Sequence, residues 1–195
     1  MKPDRQKRRT PRVATPKSLE NAALHHLARY ASSAENLRRV LARRVERSAR
    51  FHETSIEEGL VAVDEIIARF VASGLLDDAG YAEAKALSLF RRGASARKIR
   101  FALVQKGVRE EDIETALTSL TRESGDPELA AAIKLARRRR LGPFSAPGVR
   151  DAGREKHLAA LARAGFGYDI ARRVIDAKTA ADLEEEAGSP EREPL

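Results

Sequence analysis

The stretch LLDDAGYAEAKALSLFRRGASARKIRFALVQKGVREEDIETAL, residues 75–117, reads as three short helices punctuated by glycine. The first helix runs from about Asp78 to Phe90, with Tyr81, Ala82, Leu89 and Phe90 available for burial and Gly93 just beyond. Ser95 can cap a second helix that carries Ile99 and Leu103 and stops at Gly107. The third places Ile113, Leu117 and Leu120 inward and puts acidic groups in its first turn, where the helix dipole favours them. β-branched alternation is absent, and AEAKAL is a strong helix former, so no strand competes.

The same grammar extends in both directions. Upstream, residues 19–30 form a short apolar-faced helix. SSAE, Ser32 to Glu35, spells a capping box ahead of Leu37, Val40, Leu41 and Val45. Ser55 to Glu58 repeats that pattern before Ile56, Leu60, Val63, Ile67 and Phe70, with Gly74 placed to end the helix and a loop expected around 47–54. Downstream, Asp126 and Pro127 start a seventh helix that stops at LGPFSAPG. Helices at 154–163 and 168–177 follow. KIRFALVQKGVREEDIETAL and KHLAALARAGFGYDIARRVI share one layout, in which Gly107 matches Gly165, Leu103 matches Leu161 and Val108 matches Phe166. The expected fold is all-α, nine helices in three tandem three-helix modules, elongated or curved, without a sheet. The modules span 18–74, 75–122 and 123–177, between a disordered basic arm (1–17) and a frayed acidic tail (178–195).

Composition limits what such a chain does. Its 195 residues carry 37 Lys and Arg against 29 Asp and Glu, a formal charge of +8, with 42% apolar and 5% aromatic residues. No Cys is present, which excludes disulfides, thiolate metal sites and cysteine nucleophiles. The longest run without a charge is nine residues, Leu141 to Val149, and holds two prolines, so no transmembrane span is expected. The Arg-rich start lacks a signal peptide's apolar stretch, and a cytoplasmic protein is the expectation.

The sequence holds no pattern for chemistry. His25 and His26 are adjacent on a helix and point apart, while His52 and His157 lack a carboxylate at ligand spacing. Asp77 and Asp78 lie between helices, and Glu57, Glu58, Glu110 and Glu111 sit in first turns, where capping and dipole effects explain them. Glycines follow helices singly and form no phosphate loop. No catalytic residue, cofactor or metal is expected. What recurs is positive charge on helical surfaces. Arg39, Arg43 and Arg47 form one stripe; Arg91, Arg92, Arg97, Lys98, Arg100 and Lys106 cluster at the joint of the second module; Arg137, Arg138, Arg139 and Arg140 form a run. In the arm, Lys2, Arg5, Lys7, Arg8, Arg9, Arg12 and Lys17 face only Asp4. Such surfaces contact phosphates or an acidic groove on a partner, although a basic stripe is also what an ordinary solvated helix face looks like. With no zinc-finger pattern and no interleaved aromatics, any nucleic-acid contact is expected to be to the backbone.

Residues 74–108 resemble the central signature of the RecX family of recombinase regulators. The resemblance rests on Leu76-Asp77-Asp78, Tyr81-Ala82, Gly93, Arg97-Lys98-Ile99 with Leu103, and Lys106-Gly107-Val108. ARYASSAENLRRVLARR is similar to the family's first module through Tyr30, Ser33 and Leu37. REKHLAALARAGFGYDIARRVI is similar to its third, through Leu161, Gly165, Phe166, Tyr168-Asp169 and Ile175. The chain departs from the family pattern in a longer loop in the first module and in the Pro-rich LGPFSAPG. The resemblance implies a regulator, with no catalysis or cofactor of its own, that binds the RecA recombinase free or assembled on single-stranded DNA. It implies inhibition of filament extension, ATP hydrolysis, strand exchange and co-protease activity, and hence a place in DNA repair, recombination and the SOS response. A monomer, with weak direct DNA binding and no membrane partner, is expected. The alternative reading is an autonomous, non-specific nucleic-acid-binding protein anchored by the arm.

Overall fold

The computed structural model describes residues 10–146 and 148–188, and among them every regular element is helical. There are eleven α-helices and one 3-10 turn where nine helices were expected. The chain divides into two compact units, 1–78 and 79–195.

In the first unit, α1 (Pro16–Leu27), α2 (Ala34–His52) and α3 (Ile56–Ala72) enclose Leu19, Leu37, Leu41, Val45, Val63, Ile66 and Phe70. Ser33 caps α2, accepting from the Asn36 N–H, one residue later than the sequence pattern suggests. Ser32 instead accepts from the Asn36 side-chain amide. The expected loop from Arg47 is helical as far as His52, because Arg47, Ala49 and Arg50 favour helix and nothing breaks it before Glu53, which turns left-handed at φ 52°. On α3 the buried face is Gly59, Ala62, Val63, Ile66 and Phe70, while Ile56 is exposed and Leu60 and Ile67 are only half-buried. Residues 10–15 precede α1 without regular structure: Ala14 N–H donates to Ser48 Oγ at 2.9 Å, and the Pro11 carbonyl meets His52 Nε2 at 2.6 Å. The expected disordered arm is thus docked from Pro11 onward, and Lys2, Arg5, Lys7, Arg8 and Arg9 lie outside the described residues.

The second unit holds α4 (Asp78–Arg91), α5 (Ala96–Gln105), α6 (Glu110–Glu123), α7 (Pro127–Arg139), a 3-10 turn at Gly142–Phe144, α8 (Val149–Ala152), α9 (Arg154–Arg163), α10 (Tyr168–Asp176) and α11 (Ala180–Gly188). One core runs through all of it, from Ala82 and Phe90 through Ile99, Leu103 and Ile113 to Leu161, Ile175 and Leu183. Helix α7 buries Leu129, Ala131, Ala132, Ile133, Leu135 and Ala136, which is most of its circumference, so it serves neighbours on several sides. Residues 180–188, expected to fray, form α11, because Leu183 is buried to 1% exposure and Glu184 and Glu186 pair with Arg137 and Arg173.

Helix ends in this unit repeat one device. Ala94, Val108, Leu141 and Phe166 each donate an N–H back to the carbonyl five residues earlier, and each is buried. This is the Schellman closure, in which the left-handed residue before the buried one is Gly93, Gly107, Arg140 or Gly165. At Arg140 a non-glycine residue carries the φ of 54°.

Candidate basic surface of the second unit

The joint between α4 and α5 is pressed against the backbone of α7. A Cβ at Gly93 (φ 73°) would lie 2.9 Å from both the Ala131 carbonyl oxygen and the Leu135 nitrogen, so only glycine fits. Arg138 Nη1 donates to the Arg92 carbonyl at 2.5 Å, tying the last turn of α7 to the same joint. Ser95 caps α5 by accepting from Lys98 N–H, and its hydroxyl also donates to the Ala164 carbonyl at 2.8 Å, at the end of α9. Gly165 lets that approach happen, since a Cβ there would meet Ser95 Oγ at 2.6 Å. Glu128 at the start of α7 accepts from Ala96 N–H at 2.9 Å. Burial pushes the Glu128 carboxyl above the ordinary range, with Asp126 adding to the effect and the Ala96 N–H opposing it.

These contacts place Arg92, Lys98, Arg138, Arg139 and Arg163 around one concavity of about 500 Å³. Its apolar floor is Leu89, Ala94, Leu135 and Ala164, and no carboxylate lines it among the described residues. Four of the five cations are among the residues singled out from sequence; Arg163, which sits outside any basic run, is not. On the outer face of α5, Phe101 (65% exposed) and Val104 (48%) stand on the same side as Arg97. That exposed aromatic was also not singled out, although its out-of-phase spacing from Ile99 and Leu103 signals it.

The other expected contact residues differ in their surroundings. Arg100 is held by Glu110 and Glu114, and Arg137 by Glu184, with Arg137 also over the Phe144 ring at 5.6 Å. Arg39 pairs with Glu35 at 2.8 Å one turn away. Arg43, Arg47, Arg91, Arg97 and Arg140 are exposed, and Lys106 is half-buried. The signature residues are mostly architecture. Leu76, Ala82, Ile99, Leu103 and Phe166 are buried and Tyr81 is half-buried, while Gly93, Gly107 and Gly165 supply the left-handed turns. Asp78 accepts from the Ala34 N–H at 2.7 Å at the start of α2. No group of His, Asp and Glu among the described residues could hold a metal ion. Among the described residues no helix is long and apolar enough to cross a membrane.

A family model of the second three-helix domain of RecX matches residues 77–117. The chain is 46% identical over 182 residues to the regulatory protein RecX of Myxococcus xanthus, covering 91% of this chain and 96% of that one. It is 36% identical over 100 residues to the regulatory protein RecX of Agrobacterium fabrum, 51% of each chain. The crystal structure of RecX from Lactobacillus salivarius shares the fold at a TM-score of 0.59 and 22% identity, covering 87% of this chain and 97% of that one.

Proposed function

The chain belongs to the RecX family of regulatory proteins, and from that premise we propose that it regulates a RecA-type recombinase by binding it directly. The family is non-enzymatic. The partner is the recombinase, free or assembled on single-stranded DNA, and binding restrains filament extension, ATP hydrolysis, strand exchange and co-protease activity in the cytoplasm. The chain works as three three-helix modules, 18–74, 75–122 and 123–177, so that one molecule engages several protomers at once and gains from the raised effective concentration.

The observation that carries this reading is the outer face of α5. Phe101 and Val104 are large apolar side chains left in water beside Arg97 and Lys98, on a helix whose other face is anchored by Ile99 and Leu103. An aromatic flanked by arginine on a rigid platform is the composition of a protein-binding hot spot. Arg100 contributes through its ion pairs to α6 rather than through the partner.

The test is a titration of recombinase ATPase and strand-exchange activity with the full chain, with and without single-stranded DNA. Replacing Arg97, Lys98 and Phe101 together by Ala should raise the inhibitory concentration tenfold or more, about 1.4 kcal/mol or greater. Unchanged inhibition by a folded triple variant removes this surface from the account. If the intact chain leaves the recombinase untouched yet binds DNA, the nucleic-acid-binding reading replaces it.

A further inference from the structure

The concavity at the α4–α5 joint shares only Lys98 with the α5 surface assigned to the recombinase, and it holds an imbalance of charge that the fold does not relieve. Arg92, Lys98, Arg139 and Arg163 pair with no carboxylate among the described residues, and Arg138 is engaged with the Arg92 carbonyl. Three helix C-termini meet there: Arg92 just follows α4, Arg138 and Arg139 end α7, and Arg163 ends α9. Cations at helix C-termini are ordinarily explained by the macrodipole, which supplies about half a negative charge per end. Three ends supply about −1.5, against five positive side chains. The excess is more than three charges, gathered around one hollow.

Dimensions and chemistry narrow what can meet it. A hollow of about 500 Å³ exceeds what a single carboxylate needs. Four of its five cations are arginines, whose planar forks match phosphoryl oxygens two at a time. No aromatic side chain lines it, so it offers no platform for a base. The cations surround a hollow instead of following a groove, an arrangement suited to a compact polyanion. The backbone clamps at Gly93, Ser95 and Gly165 hold the elements in place, so little ordering is left for a ligand to drive.

We propose that this concavity is a binding site for a ligand with adjacent phosphoryl groups. Those groups belong to a small polyphosphate such as the terminal phosphates of a nucleotide, or to successive phosphodiesters of a nucleic-acid strand. The site belongs to the free chain and does not depend on the recombinase reading.

Calorimetric titration of the full chain with inorganic triphosphate, against sulfate at matched ionic strength, tests it directly. Saturable one-site binding of triphosphate, at least tenfold tighter than sulfate, is expected. The double variant Arg139→Gln/Arg163→Gln, at two exposed positions, should weaken it tenfold or more. Arg43→Gln/Arg47→Gln, with the same charge loss on α2, should change it less than twofold. An oligothymidylate that displaces triphosphate makes strand phosphates a source; one that fails to displace it leaves the small polyphosphate as the ligand. Absence of saturable binding, equal affinity for sulfate, or equal weakening in both double variants overturns the proposal.

Discussion

Gly93→Ala and Gly74→Ala form a matched pair that separates backbone strain from packing. Both glycines have φ of 73°, so an alanine suffers the same left-handed penalty at each, about 1–2 kcal/mol. Around Gly74 an added Cβ meets nothing within 4 Å. At Gly93 it meets two backbone atoms of α7 at 2.9 Å, and neither can rotate away as a side chain would. Forcing the joint off α7 adds an overpacking cost of about 1–3 kcal/mol. The expected losses are therefore about 1–2 kcal/mol for Gly74→Ala and about 2–5 kcal/mol for Gly93→Ala. The two positions lie in different units, so a single unfolding midpoint would blend them. Native-state hydrogen exchange reads each unit through its own slowest amides. Gly93→Ala should also loosen the Arg138 bond to the Arg92 carbonyl and with it the basic hollow. Equal losses at the two sites would refute the claim that backbone contact with α7 builds that hollow.

Two further perturbations test the surroundings of the same surface. Glu128 is held above the usual glutamate value of about 4.3. A raised carboxyl contributes stability that is present below the unfolded value and is lost as pH rises through the folded one. Glu128→Gln keeps an oxygen for the Ala96 N–H and has no proton to lose, so its stability relative to the wild type should increase across that rise. Urea unfolding at successive pH values reads this, and parallel curves for the two proteins would contradict it. Arg140→Gly, at the left-handed closure of α7, should stabilise the second unit by about 1 kcal/mol by removing the Cβ penalty. A destabilised variant in the same exchange experiment would mean that the Arg140 side chain does more than close the helix.

Local signals were legible and tertiary ones were not. Ser55, Ser95 and Asp126 cap as the sequence suggests because a cap is settled within four residues. Helix α3 came out of phase, since apolar spacing weighs large side chains, whereas burial there goes to Gly59 and Ala62. A Cβ at Gly59 would sit 2.4 Å from Val45 Cγ1, so smallness at that face is what admits α2. Helix α11 was hidden because Leu183 is the one large apolar residue in a run of acids, and its partners Arg137 and Arg173 lie on other helices. The positive charge was visible at once, but its pairing was not. Arg100 and Arg97 look alike in sequence, yet only Arg100 reaches Glu110 and Glu114. Arg163 belongs to the hollow through the docking of α9 against α5, a contact no local pattern encodes.

Ser95 shows how such docking restricts the residues a position will accept. A helix N-cap is ordinarily permissive, and Ser, Thr, Asp, Asn and Gly exchange at small cost. At Ser95 the same oxygen must accept from Lys98 N–H and donate its proton to the Ala164 carbonyl. Aspartate can do only the first, and would turn a negative oxygen toward a carbonyl. Glycine can do neither. Asparagine splits the two roles between atoms that cannot share one place, whereas threonine keeps a hydroxyl that can both accept and donate. A position with five interchangeable letters in an isolated helix is reduced here to those with a hydroxyl, and the restriction comes from a carbonyl sixty-nine residues away.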